Sequence, residues 1–194
     1  SHLDEAIENH WIQVYYQPVI RTLTGELCGM EALARWVDPQ IGFLSPASFI
    51  PVLEQVRLIH QLDAYVLEEV CHMLRQRLNH DLPITSVSFN LSRYDFDMVD
   101  VFHLVEKTRA AYQIPRDALH VEITESALAE NDDAVHQAVD RLRNEGYEIW
   151  LDDFGSGYSS LNILKDYTVD LIKLDMGFLR SFTEKSRDII RSVI

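Results

Sequence analysis

The sequence predicts an α/β fold, and two patterns carry that prediction. Leu62, Val66, Val70, Leu74 and Leu78 repeat every four residues, the spacing that lines apolar side chains along one face of a long helix. Downstream, short apolar runs alternate with helical stretches. Ile84 to Asn90, Leu119 to Thr124, Tyr147 to Leu151 and Val169 to Leu174 read as strands, with helices near Met98 to Tyr112, Ala134 to Asn144 and Ser159 to Leu164 between them. Such alternation implies a largely parallel sheet, doubly wound or closed into a barrel.

The remaining elements follow in chain order. Leu3 to Ile7 reads as the end of an amphipathic lead-in helix. Ile12 to Ile20 alternates like a strand, and Thr24 and Gly25 turn the chain into Leu27 to Trp36, giving a hairpin. Pro39, Gly42 and Pro46 punctuate a loop before a short helix through Phe49 and Val52. Asn131 or Asp132 suits the N-cap of the helix after Thr124, and Gly146 suits its end. Six strands result, where a parallel barrel has eight. Ile189, Ile190 and Val193 hold a helical apolar pattern up to the last residue, so the expectation is a piece of a longer protein.

Composition narrows the function. With 194 residues, 47% of them hydrophobic, the chain can bury one substantial core. A formal net charge of -14, from 17 Lys and Arg against 31 Asp and Glu, opposes sequence-independent binding to nucleic acid or anionic lipid. An anionic ligand would need a positive mediator. Cys28 and Cys71 have no metal-type spacing and form no disulfide framework, so a cytosolic location is expected. No apolar run approaches the roughly 20 residues of a membrane span. The eight histidines lack ligand spacing, and Gly155 to Gly157 lacks the continuation of a nucleotide-binding loop.

Polar residues instead gather where strands end. Glu31 lies in "GMEALARW", Asn90 closes "VSFN", Glu122 and Glu125 occur in "VEITES", and Lys173 sits in "LIKLD". Asp152 and Asp153 follow the fifth strand; successive strand residues face opposite sides, so a doublet serving one site marks a strand terminus. In parallel α/β folds the carboxyl edge of the sheet is where several strands contribute to one site. Carboxylates and an amide oxygen are hard ligands suited to Mg²⁺ or Mn²⁺. Such a set could hold two ions roughly 3.5–4 Å apart, the arrangement used for in-line displacement at phosphorus.

These residues carry a resemblance. "YYQP" at Tyr15 to Pro18, Glu31-Ala32-Leu33 within "EALARW", "FNLS" at Phe89 to Ser92, "EITE" at Glu122 to Glu125, "DDFGSGYSSL" from Asp152 and "IKLD" at Ile172 to Asp175 are similar, in order, to the EAL domain family. The resemblance implies a TIM-like (β/α) barrel and hydrolysis of cyclic di-GMP to linear pGpG. It implies that Glu31, Asn90, Glu122, Asp152 and Asp153 hold two Mg²⁺ or Mn²⁺ ions. The resemblance also implies that Lys173 and Glu125 belong to the catalytic machinery, the first beside the attacking water or phosphate and the second anchoring the loop after the Asp pair. Gln17, Leu33 and Arg35 resemble substrate contacts. The Gly155 to Tyr158 loop would couple metal occupancy to homodimerisation, and an upstream sensory or GGDEF-type domain is the expected neighbour.

The chain also departs from the family pattern. The family continues into two further strands that carry a Glu and a Gln of the site, so residues 11–194 read as a C-terminally incomplete EAL domain and 1–10 as a lead-in helix or linker. Where the family reads close to "AEETG" after "FIP", this chain has Val52 to Arg57, and Met176 to Phe178 replace a customary "RSF". The alternatives to an enzyme are a receptor that binds cyclic di-GMP without hydrolysing it, a truncated and inactive EAL fragment, and a protein-interaction role with no messenger.

Overall fold

Spacing of apolar residues sorts the chain into helices and strands, and the computed structural model describes residues 1–129, 132–156 and 160–180. The first helix, α1 (His2–Glu8), starts at Ser1, whose hydroxyl accepts the Asp4 N–H, and it buries Leu3 and Ala6 in the core. Strands β1 (Ile12–Ile20) and β2 (Leu27–Asp38) pair antiparallel as the predicted hairpin. Next come β3 (Gly42–Leu44), α2 (Pro46–Gln55), α3 (Ile59–Asn79) and β4 (Val87–Leu91). Helices α4 (Asp95–Met98) and α5 (Val101–Ala111) lead through a 3₁₀ turn at Arg116–Ala118 into β5 (Leu119–Thr124). The chain continues through α6 (Glu125–Ala129), α7 (Asp133–Asn144), β6 (Glu148–Phe154), α8 (Ser160–Asp166), β7 (Leu171–Leu174) and α9 (Met176–Arg180).

The sheet runs β1-β2-β4-β5-β6-β7, with β3 added to β2. Every pairing from β2 through β4, β5, β6 and β7 is parallel. Val87, Phe89, Leu91, Val121, Ile123, Ile149 and Leu151 are buried on the helical face, against residues such as Leu67, Val70, Leu74, Val105 and Leu142. The other face, which carries Ser88, Asn90, Glu122 and Trp150, is the concave one that a TIM-like barrel encloses. Among the described residues β1 and β7 remain the two edges of an open barrel.

Helix α7 shows how local chemistry fixes one element. Asp132 caps it by accepting the Ala134 N–H at 2.8 Å; Val135, Val139 and Leu142 are buried at helical spacing; Gly146 then takes φ +97°, where a side chain would be strained. Asp170 ties the exit down, accepting from Ile149 N–H at 2.9 Å and pairing with Arg143 at 3.2 Å.

Several expectations are corrected. The Pro39–Pro46 loop contains β3, so among the described residues the sheet has seven strands, not six: Asp38 Oδ1 accepts the N–H groups of Gln40 and Ile41 and folds the chain back onto β2. The helix expected over Met98 to Tyr112 is broken, because Val99 is extended and Asp100 caps a new start at His103 N–H. Strand β4 begins at Val87 rather than Ile84, and the short α6 directly after β5 was not expected. Strand β6 runs through the Asp doublet to Phe154 instead of stopping before it. The pattern expected at Ile189 to Val193 and the loop residues Gly157 to Ser159 lie outside the described residues. Among the described residues no helix is long and apolar enough to cross a membrane.

Candidate metal centre

Period-two geometry on parallel strands brings the polar residues together. Glu31 of β2 sits opposite Ser88 of β4, Asn90 opposite Glu122 of β5, and Thr124 opposite Asp152 of β6. Ligand oxygens of Glu31, Glu122 and Asp152 lie within 4.8 Å of one another. Lys173 from β7 reaches into this group, its Nζ 2.8 Å from Glu31, 2.8 Å from Glu122 and 3.5 Å from Asp152. Asn90 Nδ2 donates weakly to Glu31 Oε1 at 3.4 Å.

Burial sets the electrostatics. Glu122 is fully buried, which raises its carboxyl pKa; hydrogen bonds from Lys173 and from Ser88 Oγ, at 2.5 Å, oppose that rise, and the Glu31 charge adds to it. Burial works against the Lys173 ammonium, yet the bonds to Glu122 and Glu31 outweigh it and hold the group above the ordinary lysine range. Lys173 therefore stays charged at neutral pH. Beneath the acids, Trp150 stacks on His120 with ring centroids 4.9 Å apart, flooring the concave face with aromatic rings.

The Asp doublet sits at a backbone irregularity. Asp153 has φ +56°, and the β6–β7 register shifts between Leu151 and Phe154. That twist in the left-handed region aims two consecutive side chains away from strict alternation. Asp153 is exposed and lies outside the group of three carboxylates, but it feels them: partial burial, then Asp152, then Asp175 raise its pKa.

Glu125, fully buried at the start of α6, does not join the cluster. Its Oε2 accepts from Gly155 N–H at 2.8 Å, Ser156 N–H at 3.1 Å and Ser156 Oγ at 3.2 Å, so it anchors the chain leaving β6. Gln17 pairs across the hairpin with Glu31, and Leu33 with Tyr15; with Arg35, which lies opposite Gln13, they share the face of Glu31 by alternation. Gln17 is exposed, while Leu33 and Arg35 are half-buried. Arg35 donates to the Ala34 carbonyl at 2.8 Å and lies 5.9 Å from the Tyr15 ring centre.

Sequence reasoning missed Ser88, Asp63 and Asp95. Ser88 stands two residues before Asn90 and so shares its face, a period-two signal that was available. Asp63 interrupts the apolar stripe of α3 among Ile59, Leu62 and Val66, a buried-acid signal equally open to reading.

The donor chemistry fits a divalent cation: three carboxylates and an amide converge on one spot, and a cationic nitrogen is already drawn there. Comparisons with known proteins agree with this geometry. The sequence profile of the EAL domain matches residues 1–194. The oxygen sensor protein DosP of Escherichia coli (strain K12) is 39% identical over 184 residues, 94% of this chain and 23% of that protein. Cyclic di-GMP phosphodiesterase PA2567 of Pseudomonas aeruginosa is 39% identical over 183 residues, 92% of this chain and 31% of that protein. Among solved structures, the PaMucR phosphodiesterase in complex with c-di-GMP superposes with a TM-score of 0.86 at 31% identity, covering 98% of this chain and 78% of that one. The chain thus spans a quarter to a third of the length of these curated relatives. Family profile, relatives and fold coincide, and the chain belongs to the EAL domain family.

Proposed function

We propose that this domain hydrolyses cyclic di-GMP to linear pGpG with the help of divalent metal ions. The observation that carries the reading is the convergence of Glu31, Glu122 and Asp152 around Lys173 at the carboxyl edge of the sheet, in a chain 39% identical to a protein named as a cyclic di-GMP phosphodiesterase. Glu31, Asn90, Glu122, Asp152 and Asp153 would hold Mg²⁺ or Mn²⁺, which when bound supplies Lewis-acid polarisation of the phosphate and neutralises the acids.

The chain's own residues do the rest. In the overall hydrolysis a water oxygen bonds to phosphorus, one ester P–O bond breaks, and the leaving oxygen ends as a ribose hydroxyl. Lys173, charged and fixed by two carboxylates, is placed to stabilise negative charge developing on phosphoryl oxygens. Glu125 positions the loop after Asp153 by holding three donors at once. Gln17, Leu33 and Arg35 line the face beside Glu31 where a dinucleotide would lie, with Arg35 suited to a phosphate. We further infer a homodimer, a sensory or GGDEF-type domain in the whole protein, and action in the cytoplasm.

Chromatography of cyclic di-GMP incubated with the protein and Mg²⁺ or Mn²⁺ tests this. Linear pGpG is the expected product, and Glu31→Ala is expected to abolish it while the fold persists. Intact cyclic dinucleotide with both metals would overturn the enzymatic reading; calorimetric binding under the same conditions would then assign a receptor.

A further inference from the structure

Ser92, the first residue past β4, has all of its polar groups tied down. Its N–H donates to Asp95 Oδ2 at 2.7 Å and to Asp63 Oδ2 at 3.2 Å. Its carbonyl accepts the Asp95 N–H at 3.1 Å. Its hydroxyl donates to Glu54 Oε1 at 2.7 Å and accepts the Tyr94 N–H at 3.3 Å. Helices α2, α3 and α4 thereby converge on one residue, two positions beyond Asn90.

The arrangement matters because β4 ends there. Leu91 is the last residue of β4 paired with β5, so the Ser92 N–H has no ladder partner and depends on these acids. The amide of Asn90 is not fixed by its neighbours in the cluster, since its contact with Glu31 is long at 3.4 Å. Its orientation must come from the backbone on either side.

The acids are built for the task. Asp95 is 1% exposed and Asp63 9% exposed, and Asp95 Oδ1 is buried with no donor facing it. A proton on the Asp63 carboxyl would supply that donor. Burial, reinforced by the Asp95 charge, pushes Asp63 well above the usual carboxylate range, and burial pushes Asp95 up to about 6.

We propose that Asp63 and Asp95, assisted by Glu54, are positioning residues that clamp the exit of β4 through Ser92 and keep the Asn90 amide turned into the carboxylate cluster. The proposal rests on reading that cluster as a metal centre. Its nearest analogue is the outer partner that orients a metal ligand, except that the link here is backbone.

The test uses Asp63→Leu and Asp63→Asn, with Asp63→Ala carrying the same readouts should the leucine variant not fold. Asparagine can still accept from Ser92 N–H and donate to Asp95, so it should keep wild-type amide exchange at Ser92 and wild-type Mn²⁺ affinity. Leucine should speed amide exchange at Ser92 at least tenfold and weaken Mn²⁺ affinity in titration calorimetry by about tenfold, lowering kcat with little change in KM. Unchanged exchange in the leucine variant would overturn the clamp whatever the metal result. Faster exchange with unchanged Mn²⁺ affinity would overturn its positioning role. Wild-type protein that takes up no Mn²⁺ would defeat the metal reading, and with it the positioning role, while the exchange data report separately on the clamp.

Discussion

On the concave side of β4, Glu31, Glu122 and Asp152 gather around the Lys173 ammonium; at its exit, Asp63 and Asp95 gather around a backbone N–H. Both groups bury acids that would repel one another in a dry interior. The first is balanced by a cation that stays partly exposed, and the second, on the proposal above, by a proton between packed helices. A cation can be exchanged for another cation, so the first group suits metal chemistry. A shared proton in a closed site gives no such exchange, so the second group suits fixing a backbone.

The largest expected effect comes from removing the cation. Lys173→Met should lower kcat by about 10²–10³-fold, the range for loss of one preorganised charge-stabilising group. It should also destabilise the metal-free protein by about 3 kcal/mol, because three carboxylates then face one another with no cation between them. Thermal melts should show Mn²⁺ restoring most of that loss. A variant equally stable with and without metal would break the contrast.

Next is the proton. An acid whose folded pKa lies above its ordinary value keeps its proton longer in the folded chain than in the unfolded one. Asp95, at about 6 against an ordinary 3.8, therefore contributes stability at pH 4 that is lost as pH rises through about 6. Two-unit shifts of this kind correspond to an effect on the order of 2 kcal/mol. In denaturant titrations across pH 4–7, Asp63→Asn should flatten that slope relative to wild type; an unchanged slope would mean the pair shares no proton.

How far these features were legible follows from the same physics. The concave cluster could be read because strand alternation and strand ends are local properties, and Glu31, Asn90, Glu122, Asp152 and Lys173 each sit in a recognisable run. Of the clamp only the buried acid Asp63 within the α3 stripe could be read; its partners could not, because they meet only once α3 docks against the exit of β4, a contact between residues 29 apart in sequence. Strand β3 escaped notice through its brevity, and the break between α4 and α5 turns on one aspartate, Asp100, choosing to cap. The Asp doublet does not mark a strand terminus: β6 continues to Phe154, with positive φ at Asp153 inside the strand.

The smallest effect is expected from a half-buried acid outside both groups. Asp132 caps α7 and pairs with Arg93 near the surface. Asp132→Ala should cost about 1 kcal/mol, the usual value of a cap, with turnover unchanged. A loss as large as that for Lys173 would show that burial is not what separates these acids.

Anomalous scattering from crystals soaked in Mn²⁺ tests the central claim most directly. The account expects a manganese peak among the carboxylates of Glu31, Glu122 and Asp152 and the amide of Asn90, with Lys173 Nζ moved off its present three-way contact. Crystals that leave this spot without manganese, from protein that still converts cyclic di-GMP to pGpG, would contradict it.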